Sequence, residues 1–223
     1  MIISLSGKMF SGKSLVGKII QYYIAASKEP DILSRELNDW GDDCAELSAI
    51  SEFKLKSFAE KLKQIVCILL GCTLQDIEDR AFKESPLGDE WQVSEGMSEA
   101  ARSATGEEMT PRKLMQLLGT DCGRSIIHPD IWINALFADY KSSDGHYPNW
   151  VITDSRFVND DNALKSKGAI RIRIERPNIP VNDHSSETAL DDVKDFDEII
   201  QNDGSTTELM NKVKTILIRR NII

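Results

Sequence analysis

The stretch IISLSGKMFSGKS, from Ile2 to Ser14, decides how the rest of the chain is read. Gly7, Gly12, Lys13 and Ser14 stand at the fixed positions of a phosphate-binding loop: a glycine, four free residues, then glycine, lysine and serine or threonine. Ahead of the loop, Ile2, Ile3 and Leu5 form a short apolar run with β-branched members. Behind it, Leu15, Val16, Ile19 and Ile20 recur at helical spacing. The loop is therefore expected to join a strand to a helix. Glycine lets backbone N–H groups turn inward around phosphate oxygens, and the helix adds the positive end of its dipole, about half a charge.

In such a loop Lys13 can reach the β and γ phosphates of a nucleotide and the Ser14 hydroxyl can hold Mg²⁺. Ser11 and Leu15 join them in the expected nucleotide-binding set. A chance match of four positions is the bland alternative, and the strand and helix on either side argue against it.

At 223 residues the chain can bury a substantial core, and it fits one domain with insertions better than two. Its net charge of −9 argues against a broad nucleic-acid or anionic-membrane surface, while a local cluster of arginines can still grip a small phosphate. No apolar run approaches the roughly 18 residues of a membrane span, and the first residues enter a strand with no room for a signal peptide, so the cytoplasm is expected. Cys44, Cys67, Cys72 and Cys122 form no CxxC pair and have no histidine at ligand spacing, which points to reduced thiols rather than zinc. His128, His146 and His184 are scattered without a metal or triad pattern.

Past the loop, Leu15 to about Ala26 reads as a helix, and Lys28 to Cys44 as a connection. Phe53–Phe58 alternates like a short strand, and Ala59–Leu70 is strongly helical, capped by Gly71. Residues 83–110, rich in Ser, Glu and Gly, read as a mobile segment or insertion. Pro111 opens a helix that carries Arg112 and Gln116 four apart on one face, and Gly119 is expected to end it. A further helix is expected over Ile131–Tyr140, with Trp132 near its start.

Asn149–Ile152 reads as a strand running into TDSRF, Asp160–Lys167 as a helix and Ala169–Ile174 as a strand in which Arg171 and Arg173 alternate with isoleucines. Pro177–Asp192 reads as a loop able to cover a site. Phe196–Ile200 is a last strand, Asn202–Gly204 a turn, and Ser205 with Glu208 a capping box for the closing helix. Strands alternating with helices predict an α/β fold with a mainly parallel sheet, its ligand outside the carboxyl ends of the strands.

Several of these stretches resemble one family. They are SGKMFSGKS, SFAEKLK at 57–63, RKLMQLLGTD at 112–121, PDIWINALFADY at 129–140, ITDSRF at 152–157, GAIRIRIERP at 168–177, NDHSSETAL at 182–190 and NDGSTTELMNKV at 202–213. In this order they resemble the deoxynucleoside monophosphate kinases encoded by bacteriophages. Residues 28–52 and 83–110 carry no match.

The resemblance implies a P-loop kinase three-layer sandwich occupying residues 1–223 as one domain. Its core covers about 1–27, 53–70, 149–177 and 194–223, with a helical acceptor-binding insertion at about 71–148 and a lid at about 176–192. It implies transfer of the ATP γ-phosphoryl group to a deoxynucleoside monophosphate, with Mg²⁺, small-molecule substrates rather than a nucleic acid polymer or membrane, and a homodimer.

Such a transfer is mostly positioning and charge neutralisation, which suits Arg112, Arg124, Arg156 and Arg176, since a guanidinium can fork onto phosphate oxygens. Asp154, at a strand end, is read as an orienting or metal-shell group, against the common fate of a turn aspartate. Arg156 has a solvated ion pair as its alternative. By resemblance Arg112 takes the acceptor phosphate and Gln116 a base or sugar edge, though both also suit an ordinary polar face. Trp132 can stack on a base or pack in the core, and Lys63 can meet the acceptor phosphate or stay solvated. Glu187, beside Ser186, marks the lid, and Arg176 supplies charge over the phosphates. Asn202, Asp203 and Gly204 fall at the adenine end of ATP or simply make a turn.

Two rival readings share the loop. One is a P-loop kinase for another phosphorylated acceptor, such as phosphomevalonate or dephospho-coenzyme A. The other is a nucleotide-dependent switch, for which neither NKxD nor a strand-ended DE pair is present.

Overall fold

Strand β1 (Ile2–Ser6) is the middle of a five-stranded sheet, and all five of its residues are buried. The computed structural model describes residues 1–40, 45–94, 96–97, 102–103, 108–179 and 188–223. With β2 (Phe53–Lys56), β3 (Asn149–Ser155), β4 (Ile170–Glu175) and β5 (Glu198–Gln201), β1 forms a sheet in the order β2-β3-β1-β4-β5. Every pairing is parallel, with Ile3 opposite Val151 on one side and Ile170 on the other. Parallel neighbours need crossovers, and a sheet built from them is buried on both faces, which explains the apolar character of β1.

The chain divides into two compact units, one of Met1–Ser57 with Tyr140–Ile223, the other of Phe58–Asp139. In the first, α1 (Lys13–Lys28) is buried along Val16–Ala26 save for Lys18. It packs with Leu209, Val213, Ile216 and Leu217, which lie on the closing helix, and with Leu5, Ile172, Ile174 and Ile200 of the sheet. Each such aliphatic side chain contributes about 1.5–3 kcal/mol by leaving water.

The connection after α1 differs from its sequence reading in one respect. It holds two 3₁₀ turns, Pro30–Ser34 and Leu37–Trp40, followed by α2 (Ala45–Ser51), and places Ile32, Leu37, Trp40 and Leu47 in the core. These apolar residues are too irregularly spaced to announce a helix, and their burial is a tertiary event.

In the second unit, α3 (Glu60–Leu70) ends at Gly71 in the left-handed conformation, φ 65°, as expected. The sequence reading groups this helix with the core, whereas it clusters with the second unit. Two short helices follow, α4 (Leu74–Glu78) and α5 (Arg80–Glu84). Thr110 caps α6 (Pro111–Gln116) by accepting from the Lys113 N–H at 3.2 Å, with Pro111 in the first turn.

Gly119 does not end that helix. The chain continues through it as a π-helical stretch, Leu117–Ile127, before α7 (Ile131–Phe137). A Cβ on Gly119 would lie 2.8 Å from Leu62 Cδ2, so this glycine serves close helix packing rather than a cap.

Back in the first unit, α8 (Val158–Ser166) follows β3, and the closing helix α9 (Thr206–Arg219) carries the expected capping box. The Ser205 N–H donates to Glu208 Oε2 at 2.6 Å, and Ser205 Oγ accepts from the Glu208 N–H at 3.2 Å. A buried Arg171, pairing with Asp161 at 2.6 Å and with Asp195, ties the start of β4 to its surroundings.

Candidate nucleotide-binding site

Because the five strands run the same way, the residues that follow them meet at one edge of the sheet. Gly7 follows β1, Ser57 β2, Arg156 β3, Arg176 β4 and Asn202 β5. This edge holds the phosphate loop.

Gly7 has φ 153° and Gly12 has φ 99°, where an L side chain is strained. The space is equally restrictive. A Cβ on Gly7 would meet the Ile174 carbonyl oxygen at 2.5 Å and Ser11 Oγ at 2.6 Å, and one on Gly12 would meet Asn202 Nδ2 at 2.6 Å. Gly12 is also the N-cap of α1 and makes no side-chain cap, so the first N–H groups of the helix open toward the loop.

Lys13 Nζ folds back over the loop, donating to the carbonyls of Gly7 at 2.7 Å and Lys8 at 2.8 Å. Ser11 Oγ is buried and has no hydrogen-bond partner among the described residues. An orphaned buried hydroxyl, two glycines without room for a Cβ and an ammonium held on main-chain carbonyls suit a loop that closes on phosphate oxygens.

Ser57 Oγ donates to Asp154 Oδ2 at 2.6 Å, which orients that carboxylate at the end of β3. Ser14 is exposed at the first turn of α1. A carboxylate and a hydroxyl suit Mg²⁺, a hard cation usually held by one or two protein oxygens together with phosphates and water. No cluster of three or more His, Cys, Asp or Glu residues able to hold a metal occurs among the described residues.

Around the loop, Arg176 Nη1 donates to the Phe10 carbonyl at 3.3 Å. Asn202 is buried and its Nδ2 donates to the Ser11 carbonyl at 2.8 Å, while Asp203 pairs with Lys212 at 2.7 Å. Exposed Gly204 adjoins the capping box. Leu15 is half-buried in the first turn of α1. Arg156 is half-buried just beyond β3, where its N–H meets Asp160 Oδ2 at 3.4 Å.

The second unit holds the residues read as acceptor-binding. Lys63 Nζ pairs with Glu78 at 2.5 Å and Arg112 Nε with Glu84 at 2.7 Å. Gln116 is half-buried at the end of α6, and Arg124 Nη1 donates to the Pro129 carbonyl at 3.2 Å. The Trp132 indole is buried, donates through Nε1 to the Gly119 carbonyl at 2.7 Å and packs where a Cβ on Gly123 would fall. Glu187, with Ser186 and the middle of the expected lid, residues 180–187, lies outside the described residues.

A chain of contacts beside Gly7 escapes sequence reading. Arg173 Nη1 donates to Ser6 Oγ at 2.9 Å and Nη2 to Asp191 Oδ1 at 3.0 Å, and Asp191 pairs with Lys8 at 3.0 Å. Its one signal in the sequence is an arginine repeated on one face of an otherwise apolar strand.

A strand–loop–helix phosphate cradle at the carboxyl edge of a parallel sheet in this order defines a P-loop kinase-like α/β protein. The chain belongs to the deoxynucleotide monophosphate kinase family, whose model matches residues 53–213. It is 34% identical over 114 residues to the deoxynucleotide monophosphate kinase of Enterobacteria phage T4, covering 50% of this chain and 46% of that one. It is 37% identical over 111 residues to the deoxynucleotide monophosphate kinase of Escherichia phage RB69, covering 48% and 44%. With the deoxynucleoside-5'-monophosphate kinase of Escherichia phage T5 it shares 25% over 203 residues, covering 74% and 71%. The chain spans about half the length of the T4 and RB69 relatives that it matches. No helix among the described residues is long and apolar enough to cross a membrane.

Proposed function

We propose that this chain transfers the γ-phosphoryl group of ATP to a deoxynucleoside 5′-monophosphate, giving ADP and the diphosphate. The observation that carries the reading is the phosphate cradle of Gly7, Ser11, Gly12 and Lys13 in a chain of this family. Family membership implies ATP as donor. Ser14 and Asp154 are the residues that would hold Mg²⁺, which when bound would neutralise phosphate charge.

The acceptor phosphate is already an anion, so no base has to take a proton from it. Catalysis then rests on placement and on charge: Lys13 on the outer phosphates, Arg156 and Arg176 on the equatorial oxygens, Asp154 as the orienting carboxylate. We assign Lys63, Arg112, Gln116 and Arg124 to the monophosphate, with Trp132 setting the shape of the helix that carries its neighbours and Glu187 to the lid. Leu15, Asn202, Asp203 and Gly204 belong to the donor side. Monomeric nucleotides rather than a polymer are the expected substrates, in keeping with the net charge of −9, and a homodimer is the expected assembly.

The test is ADP release from ATP with a panel of acceptors: the four deoxynucleoside monophosphates, their ribose counterparts, phosphomevalonate and dephospho-coenzyme A. Turnover with deoxynucleoside monophosphates is expected. Turnover with a non-nucleotide acceptor alone would overturn the proposal.

A further inference from the structure

Ser6 and Lys8 are the two neighbours of Gly7, and both are tied to one Arg–Asp pair. Arg173 stands beside Ser6 in the sheet, its side chain 11% exposed, and forks to Ser6 Oγ and Asp191 Oδ1. Asp191 passes the tie to the Lys8 ammonium through its other oxygen, Oδ2. The Phe196 ring lies under the Arg173 guanidinium, 5.8 Å from its centroid, and the group lines a cavity of about 390 Å³ with Arg176 and Lys194. The peptide framed in this way supplies the Gly7 and Lys8 carbonyls that hold Lys13 Nζ.

We propose that Arg173 and Asp191 are positioning residues of the phosphate loop, setting its affinity for ATP through Ser6 and Lys8. This rests on the reading that the loop holds the donor's phosphates. A loop whose entry is braced before the ligand arrives loses less freedom on binding, so the brace acts on donor affinity. The planar guanidinium sends one nitrogen to the strand hydroxyl and the other to the carboxylate; a lysine ammonium, a single point of charge on a flexible stem, does not reproduce that fork, which makes it a poor substitute at position 173. Asparagine at position 191 keeps the shape and removes both ion pairs.

The test is calorimetric ATP binding to the full chain, in a cycle of Lys8→Met, Asp191→Asn and the double variant, with Arg173→Lys alongside. Asp191→Asn and Arg173→Lys are each expected to weaken ATP binding about tenfold, with the acceptor KM unchanged within about twofold. In the Lys8→Met background the effect of Asp191→Asn should shrink to about threefold, the part that passes through Arg173 to Ser6. An undiminished effect in that background, or wild-type ATP affinity in both single variants with a native circular dichroism spectrum, would overturn the proposal. Should Arg173→Lys not fold, the cycle at the part-exposed Asp191 still decides. ATP binding without turnover of any deoxynucleotide would refute the functional reading and leave the cycle readable; absence of ATP binding by the wild type would refute both.

Discussion

The side-chain amide of Asn202 donates to the main-chain carbonyl of Ser11 across 2.8 Å, joining residues 191 positions apart. The exit of β5 thereby holds the middle of the phosphate loop. Asn202→Ala removes the partner of a buried carbonyl, which costs about 1–3 kcal/mol when nothing replaces it. We expect a lower unfolding midpoint and weaker ATP binding together. An unchanged ATP affinity would confine Asn202 to stability. Gly12→Ala should be worse, because it adds a left-handed strain to a 2.6 Å clash with the same amide.

Lys13→Ala should leave the fold intact and lower kcat by at least about 10²-fold, since it removes a preorganised charge from the transferring phosphates. The ammonium rests on two main-chain carbonyls at the surface of the loop, not in the core. Near-normal turnover in a steady-state assay would refute its role.

Arg112→Ala should raise the KM for the deoxynucleoside monophosphate by about tenfold or more and leave the KM for ATP within twofold. Its present partner, Glu84, is a half-exposed carboxylate that an acceptor phosphate can displace. Equal effects on both substrates would move Arg112 off the acceptor.

Two glycines of the second unit should respond differently to alanine. A Cβ on Gly119 meets the terminal methyl of Leu62, which can swing away, whereas one on Gly123 meets the Leu118 carbonyl oxygen at 2.6 Å and the Trp132 ring at 3.1 Å. Gly123→Ala should therefore destabilise by about 1–3 kcal/mol and Gly119→Ala by less, read from urea unfolding. The reverse order would contradict the packing described.

Acid should weaken the first unit through Asp195. Its hydrogen bonds with Lys165 and Arg171 hold the carboxyl down to about 2. A carboxyl depressed on folding contributes stability above its ordinary value near 3.9, and that contribution is lost as the pH falls toward 2. Asp161 opposes it: burial outweighs Arg171 and raises its pKa, so protonation there favours the folded state. Asp195→Asn should flatten the fall in the urea midpoint between about pH 4 and pH 2. An unaltered slope would show that other carboxylates carry it.

What the sequence determined by itself was local. The phosphate loop lies within eight contiguous residues, Gly7–Ser14, and its glycines and lysine are needed whatever surrounds them. The Ser205–Glu208 box and the Gly71 cap are likewise satisfied within one helical turn, so their residues could be read in order along the chain. The alternation of strands and helices indicated a parallel sheet, since such strands need crossovers. Only the tertiary structure decided which strands are neighbours. With β4 beside β1, Arg173 meets Ser6 across 167 residues, and with β5 next in line Asn202 reaches Ser11. The same holds for Gly119, which the sequence presents as a stop and the fold uses as a place for Leu62, and for Trp132, whose indole N–H is spent on a carbonyl thirteen residues away. A hydrogen bond or contact between distant residues exists only once the chain has closed the loop between them, and local spacing carries no record of that closure.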